Sequence, residues 1–283
     1  MKQQDQISCL TDIVRERVEQ AKLESAKDVS LETKTNYAKH HIKREIYQIE
    51  SDMQEQYYGL KKGKYTLITN RHYDINPEWD DYFIRYLSHV VKEYVAESKK
   101  ILVVGLGNRY ISADSIGAKV LQYIIPTRYF EKVMGEKHLV QVSAISTSVF
   151  ALTGIDSSDL VQSVVEKLQI DCVIAIDSLC ASDYTRLGTS FQIHDAGLSP
   201  GQGLGNKRKR LDKRVLGVKV ITIGVPLVMY ASSINHRLDN SLVITLKDID
   251  HISHVVAKYI GLAISHAVTG LSLADIQNLL MYH

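Results

Sequence analysis

Three short runs constrain this chain more than anything else in it: ILVVGLG at 101–107, CVIAID at 172–177 and VKVITIGV at 218–225. Each is rich in β-branched residues, too short for a buried helix, and apolar at odd and even positions alike. A strand that is apolar on both faces has to be covered on both faces, which is the situation of strands in a parallel sheet sandwiched between helices. Stretches with helical periodicity lie between such runs. One follows Pro77, with Trp79, Phe83, Leu87, Val90, Val91 and Tyr94 recurring every three to four residues. Others fall near 114–125, 157–169, 226–234 and 249–267, and a last one is opened by Ser272 with Asp275 three positions on. YTLIT (65–69), LVQVSAIS (139–146), TSFQIH (189–194) and SLVITL (241–246) complete the strand set. The alternation predicts a three-layer α/β/α sandwich around a mostly parallel sheet.

The first 60 residues differ: polar, with few apolar clusters and one helical stretch at 13–27 whose apolar face (Ile13, Val14, Val18, Leu23) is thin. They are expected to pack onto something else or to be partly mobile. A length of 283 residues suits one large domain, and no linker composition or repeat divides it. The net charge of +2 argues against a polyanion-binding surface, and no RNA-binding signature occurs, so no direct nucleic-acid partner is expected. Cys9, Cys172 and Cys180 lack metal or disulfide spacing and fit a reducing compartment. Without an apolar signal core or a membrane-length apolar stretch, the expectation is a cytoplasmic protein with no membrane partner.

Chemistry points to two acids. Asp177 ends the run VIAI, and Asp114 follows ILVVGLG through the loop NRYISA. Ligands of open α/β sheets bind just beyond the carboxyl ends of the strands. Two carboxylates that converge there cannot both ionise; one stays protonated as an acid while the other serves as base on a water. The alternative is that Asp114 meets the positive end of its helix and Asp177 caps a turn.

Other features carry less. GLG at 105–107 lacks the third glycine of a dinucleotide fingerprint, since position 110 is Tyr. SPGQGLGNKRKRLDKR (199–214) has the wrong glycine interval for a phosphate loop, and its six basic residues without aromatics suit a solvated loop or an acidic partner. His251 and His254 lack a third metal ligand of convincing spacing. Cys180 lies near Asp177, with His194 a spatial partner that sequence leaves open. No cofactor and no metal is expected.

Taken together, VVGLGN…ADSIG, TGIDSSDLVQSVVEK, VIAIDSL, QIHDAGLSPGQGLGNKRK and LGVKVITIGVP stand in the order and spacing of the germination protease family, the spore endopeptidases of endospore-forming bacteria. There the corresponding motifs read VVGLGN, TPDALG, TGIET, IAIDALAAR, QIxDTGIxPGSGVGNKR and GxPVIAIGVPTVVDA. The resemblance covers roughly residues 100–265, with weaker echoes in TDIVRERVEQAK and GKYTLIT. It implies a fold similar to hydrogenase-maturation endopeptidases. It implies an atypical aspartic peptidase degrading small acid-soluble spore proteins in the spore core, with Asp114 and Asp177 as its catalytic acids. It implies a homo-oligomer, with a tetramer among the options, and a zymogen whose N-terminal piece is removed. On that basis residues 1–12 are assigned as a prosegment and 13–283 as a single α/β peptidase domain. Asn108, Arg186, Asn206 and Lys207 are assigned to substrate binding.

The chain departs from the pattern at several points. STSVFALTGIDS (146–157) replaces a Pro-Gly-Val-Met-Gly stretch, Ala113 replaces the proline before the first aspartate, and Tyr230 replaces an acid. An insertion before LVITLKDID is missing. The altered 146–153 loop motivates a second reading, a non-catalytic relative that binds spore proteins; the similarity to maturation endopeptidases, which recognise metal, motivates a third, a metal-assisted hydrolase using the same aspartates.

Overall fold

The run at 101–107 forms strand β4 (Lys100–Leu106), and its neighbours dispose of its side chains alternately. Ile101 and Val103 enter one hydrophobic cluster, Leu102 and Val104 another on the opposite face. The same holds for β6 (Cys172–Ala181), where Ile174 and Ile176 go one way and Val173 and Ala175 the other. This is the physical content of a run that is apolar at every position. The computed structural model describes residues 11–24, 29–70, 77–128, 140–200, 209–235, 237–239 and 241–281.

In chain order the remaining strands are β1 (Glu32–Tyr37), β2 (Lys43–Ile49), β3 (Gly63–Thr69), β5 (Gln141–Ser148), β7 (Ser190–His194), β8 (Lys219–Tyr230) and β9 (Val243–Thr245). They form one sheet in the order β1-β2-β3-β7-β8-β6-β4-β5, with β9 paired to β8. The segment β5-β4-β6-β8 is parallel, while β7, β3, β2, β1 and β9 join antiparallel.

The helices are α1 (Val14–Glu24), α2 (Asp52–Tyr58), α3 (Pro77–Val95), α4 (Ile116–Val120), α5 (Phe150–Thr153), α6 (Ser157–Leu168), α7 (Lys213–Leu216), α8 (Ile249–Thr269) and α9 (Leu273–Leu280). α3 and α8 cover one face through Phe83, Leu87, Val91, Ile260 and Ile264, with Phe83 packed edge-on against Phe191 and Tyr259. α6 covers the other through Val161 and Val165. The three-layer expectation holds. Ser272 caps α9 by accepting the Asp275 N–H, as its spacing predicts. No single helix among the described residues is long and apolar enough to cross a membrane.

Two expectations fail. The 226–234 segment is not a helix: β8 runs on to Tyr230, and only a 3-10 turn, Ala231–Ser233, follows. Its partner explains this, because β6 also runs past Asp177 and pairs with it (Cys180↔Val228, Ala181↔Met229) after a register shift. Pro226, which has no N–H to give a ladder, sits at that shift. The second miss is the N-terminal region, which supplies β1 and β2 to the sheet. β2 buries the charged Arg44 and Glu45 along with Tyr47 and Ile49, and β1 is exposed throughout, so neither carries an apolar run. Ile13, Val14 and Val18 are buried as expected, whereas Leu23 is 87% exposed.

Candidate active site

β4 approaches α4 without side chains between them. A Cβ at Gly105 would lie 2.3 Å from the Gly117 carbonyl oxygen, and one at Gly117 would lie 2.3 Å from that of Leu106. The glycines at 105 and 117 therefore serve close packing of backbone on backbone. After β4 the chain turns through Gly107 (φ +87) and Asn108 to a 3-10 turn, Ser112–Asp114, just before α4. The Asn108 backbone N–H donates to Asp114 Oδ2 at 2.7 Å. Burial pushes the Asp114 carboxyl above the usual range, with this hydrogen bond opposing it in part.

Asp177 does not end a strand; β6 continues four residues beyond it. What ends is its neighbour. The β4–β6 ladder stops at Gly105↔Ile176, while Asp177 remains paired with Gly224 of β8. Asp177 is thus the first residue of β6 uncovered on the β4 side, where the sheet opens. It is 8% exposed, and Oδ1 accepts the Ser178 N–H at 3.0 Å.

Two cavities meet at these acids. The larger, about 410 Å³, is lined among others by Asp12, Lys61, Gln192, His194 and Arg210; the smaller, about 340 Å³, by Asn108, Ser148, Phe150 and Pro200. Asp114, Asp177 and Ile111 line both. The two acids separated by 63 positions of sequence are therefore brought to one site, on the boundary between two compartments.

The other expected residues fare differently. Asn108 lines the smaller cavity; its side-chain oxygen accepts the Tyr110 N–H, and Nδ2 has no hydrogen-bond partner among the described residues. Arg186 is not among the residues lining either cavity. It is buried and ion-paired with Glu16 at 3.0 Å, through an approach of Nε too oblique for a hydrogen bond. Asn206 and Lys207 lie outside the described residues. Of the basic run, Lys209 pairs with Asp159, and Arg210 lines the large cavity while bonded to Asp212, Ser199 and the Ala196 carbonyl.

His194 does line the cavity that also touches Cys180. Its imidazole is buried, stacked on Tyr65, and held at a pKa of about 3 by desolvation and by Arg210, so it is neutral near pH 7. His254 is bonded to the Tyr123 hydroxyl, and no three His, Cys, Asp or Glu side chains among the described residues converge as a metal cage. Sequence reasoning passed over Asp12 and Gln192. Asp12 carried one signal, its place within the TDIV echo.

A germination protease family model matches residues 11–249. The chain belongs to the germination protease family. Germination proteases of Bacillus mycoides (strain KBAB4) and Bacillus cereus (strain AH187) are each 38% identical to it over 185 residues, 62% of this chain and 50% of theirs. The chain thus spans about half the length of these curated relatives. A NiFe hydrogenase maturation protease from Thermococcus kodakarensis aligns with 62% of this chain and 98% of its own, at TM-score 0.37 and 15% identity.

Gly107 gives the site its most direct structural test. At φ +87, a Cβ there would stand 2.1 Å from the Asp114 carbonyl oxygen and 2.8 Å from Oδ1. Gly107→Ala is expected to cost about 1–3 kcal/mol for the strained backbone alone. It should also displace Asp114. Chemical denaturation of the variant checks the first effect, and a shift of the Asp114 carboxyl resonance in NMR the second.

Proposed function

We propose that this chain is an endopeptidase of spore germination that hydrolyses small acid-soluble spore proteins through Asp114 and Asp177. The observation that carries the reading is that both acids line both cavities, so an extended peptide crossing from one to the other presents its scissile bond between them. Desolvation favours the proton on Asp114, which makes it the acid; Asp177 is then the base. A water oxygen attacks the carbonyl carbon as Asp177 takes the water proton and Asp114 donates to the carbonyl oxygen. Collapse of the tetrahedral intermediate breaks the C–N bond as Asp177 gives its proton to the leaving amine and Asp114 takes back a hydroxyl proton, re-forming the C=O bond. The Asn108 amide, on the wall of the smaller cavity, supplies a donor for the developing charge on the carbonyl oxygen. The enzyme acts as a homo-oligomer in the spore core and uses no cofactor.

Two observations bear on the other readings. Ser148 holds φ +58, a conformation glycine takes freely, so the altered 146–153 loop keeps a left-handed turn without its glycine. The metal reading lacks a third protein ligand among the described residues. The test is incubation of the purified chain with a small acid-soluble spore protein, with and without chelator. Discrete fragments indifferent to chelator are expected. Cleavage abolished by chelator and restored by one ion would replace the carboxylate mechanism with the metal one. Binding without cleavage, by folded protein, would make the chain a non-catalytic relative.

A further inference from the structure

The larger cavity has a polar floor that the carboxylate pair does not use. His194 of β7 and Thr222 of β8 lie opposite each other, and the next row on the same strands is Gln192, Gly224 and, on β6, Asp177. Residues opposite one another, and residues two apart along a strand, share a face of the sheet. His194 and Thr222 therefore stand on the face that carries Asp177, set back from its row by about 7 Å, the rise of two strand residues. Both line the larger cavity.

Both are also buried, His194 at 7% and Thr222 at 1% exposure. Yet Nδ1 of the imidazole and Oγ1 of the hydroxyl have no hydrogen-bond partner among the described residues. Buried polar atoms are as a rule paired. Two orphans facing each other across neighbouring strands, on the wall of one cavity, are the convergent polar groups by which a mostly apolar site orients what it binds. The imidazole is held in place by its stack on Tyr65, whose hydroxyl is itself tied to the Lys61 carbonyl at 2.9 Å.

The chemistry of the pair selects its guest. A neutral imidazole offers one donor and one acceptor, and a hydroxyl can act as either. Such a pair suits a group that both donates and accepts, which means a hydroxyl or a carboxamide. A carboxylate fits poorly. Asp114 and Asp177 already line this cavity, and its cations are engaged: Lys61 with Glu55, Arg210 with Asp212, and Arg17 with the Thr11 carbonyl. A further acid would be buried there without a counter-charge. An aliphatic side chain would leave both orphans unpaired.

We infer that His194 and Thr222 form a specificity site of this chain, which receives a neutral hydroxyl or carboxamide side chain from a substrate residue close to the scissile bond. The inference rests on the peptidase reading above for its kinetic consequence, and on the cavity alone for binding.

The variants are Thr222→Val and His194→Phe. Valine keeps the shape of threonine and suits a strand, and phenylalanine keeps a ring for Tyr65. Removing an orphaned hydroxyl should leave the urea midpoint of Thr222→Val at or above that of wild type. A clear fall would show a structural bond at Oγ1 and overturn the assignment. Cleavage sites mapped in a small acid-soluble spore protein should share Ser, Thr, Asn or Gln at one fixed position from the cut; the absence of such a position would also overturn it. That position is then varied in one synthetic peptide as Thr, Asn, Val or Asp. Wild type should prefer Thr or Asn over Val by about 10- to 100-fold in kcat/KM, the effect of leaving buried groups unpaired, and should disfavour Asp as well. Each variant should bring the Thr-to-Val ratio to within about threefold of unity. Equal rates on Thr and Val, or a preference for Asp, in the wild type would sink the inference.

Binding is read without catalysis. With the histidine nitrogens isotopically labelled, the His194 ring resonances should shift on addition of N-acetylthreonine amide but not of N-acetylvaline amide, and should stay unmoved by either in Thr222→Val. His194→Phe assigns the resonances. No shift with the threonine amide would overturn the site whether or not the chain cleaves. If the wild type cleaves nothing, the peptidase reading falls by itself, and this titration decides the site.

Discussion

Asp177→Asn is expected to lower the rate of peptide hydrolysis by about 10²–10⁴-fold, the range set by removing a general base, with the fold intact. The asparagine side chain matches aspartate in volume and retains an oxygen that can accept the Ser178 N–H now bound by Oδ1. What it cannot do is take a proton from water. Asp114→Asn should act similarly, keeping an acceptor for the Asn108 N–H while losing the acidic proton. Because the two groups act as one unit, the double variant should be little slower than either single one. Steady-state rates on a small acid-soluble protein, beside unfolding curves for each variant, check all three. Full activity in either single variant would remove the pair from the mechanism.

The same variants carry a pH signature whose sign is the reverse of the usual carboxylate case. Burial raises the Asp114 pKa in the folded chain, so the folded state binds this proton more tightly than the unfolded state does. The stability it contributes is complete below the unfolded value of about 3.9, and is lost as pH rises through the folded pKa. Relative to wild type, Asp114→Asn should therefore gain stability as pH climbs through that window. Denaturant midpoints measured from acid to neutral pH give the comparison.

How much of this was legible beforehand follows from where each element's information lies. β4, β6 and the first part of β8 declare themselves because both faces are buried, so apolar residues fall at odd and even positions alike. β1 has no buried face and β2 a mixed one, and only their pairing to β3 makes strands of them. The 226–230 stretch is held extended by β6 and β9, partners that no local pattern announces. The acids were readable as residues that follow apolar runs. The reason Asp177 is accessible was not, because it depends on β4 stopping one row earlier. Asp12 and Gln192 were invisible for the same reason: Asp12 bonds Cys180 and Gln192 bonds Val14 across 168 and 178 positions of chain. Arg186 was readable as an important arginine, and its partner, Glu16, was not.

That partner carries the largest stability effect expected in the molecule. Glu16 is 6% exposed at the first turn of α1 and gathers five donors. They are the Ser182 N–H and hydroxyl (2.7 Å each), the Asp183 N–H (3.2 Å), the Thr11 hydroxyl, and the Arg186 guanidinium in ion-pair contact. Glu16→Ala would leave a buried cation and two backbone donors without this acceptor, and breaking a buried pair from one side costs about 3–5 kcal/mol. The midpoint of urea unfolding should fall accordingly, with the slope unchanged. A Glu16→Met, Arg186→Met double variant distinguishes the sources of the loss. Were the ion pair alone responsible, apolar replacement of both partners should be close to neutral. Here it should recover only part, because the Ser182 and Asp183 N–H groups remain unpaired at about 1–3 kcal/mol for a buried donor. A loss below about 1 kcal/mol in Glu16→Ala, the level of an exposed pair, would mean that Arg186 turns to Asp183, already 3.8 Å away, and that the strand end beyond Asp177 is held without Glu16.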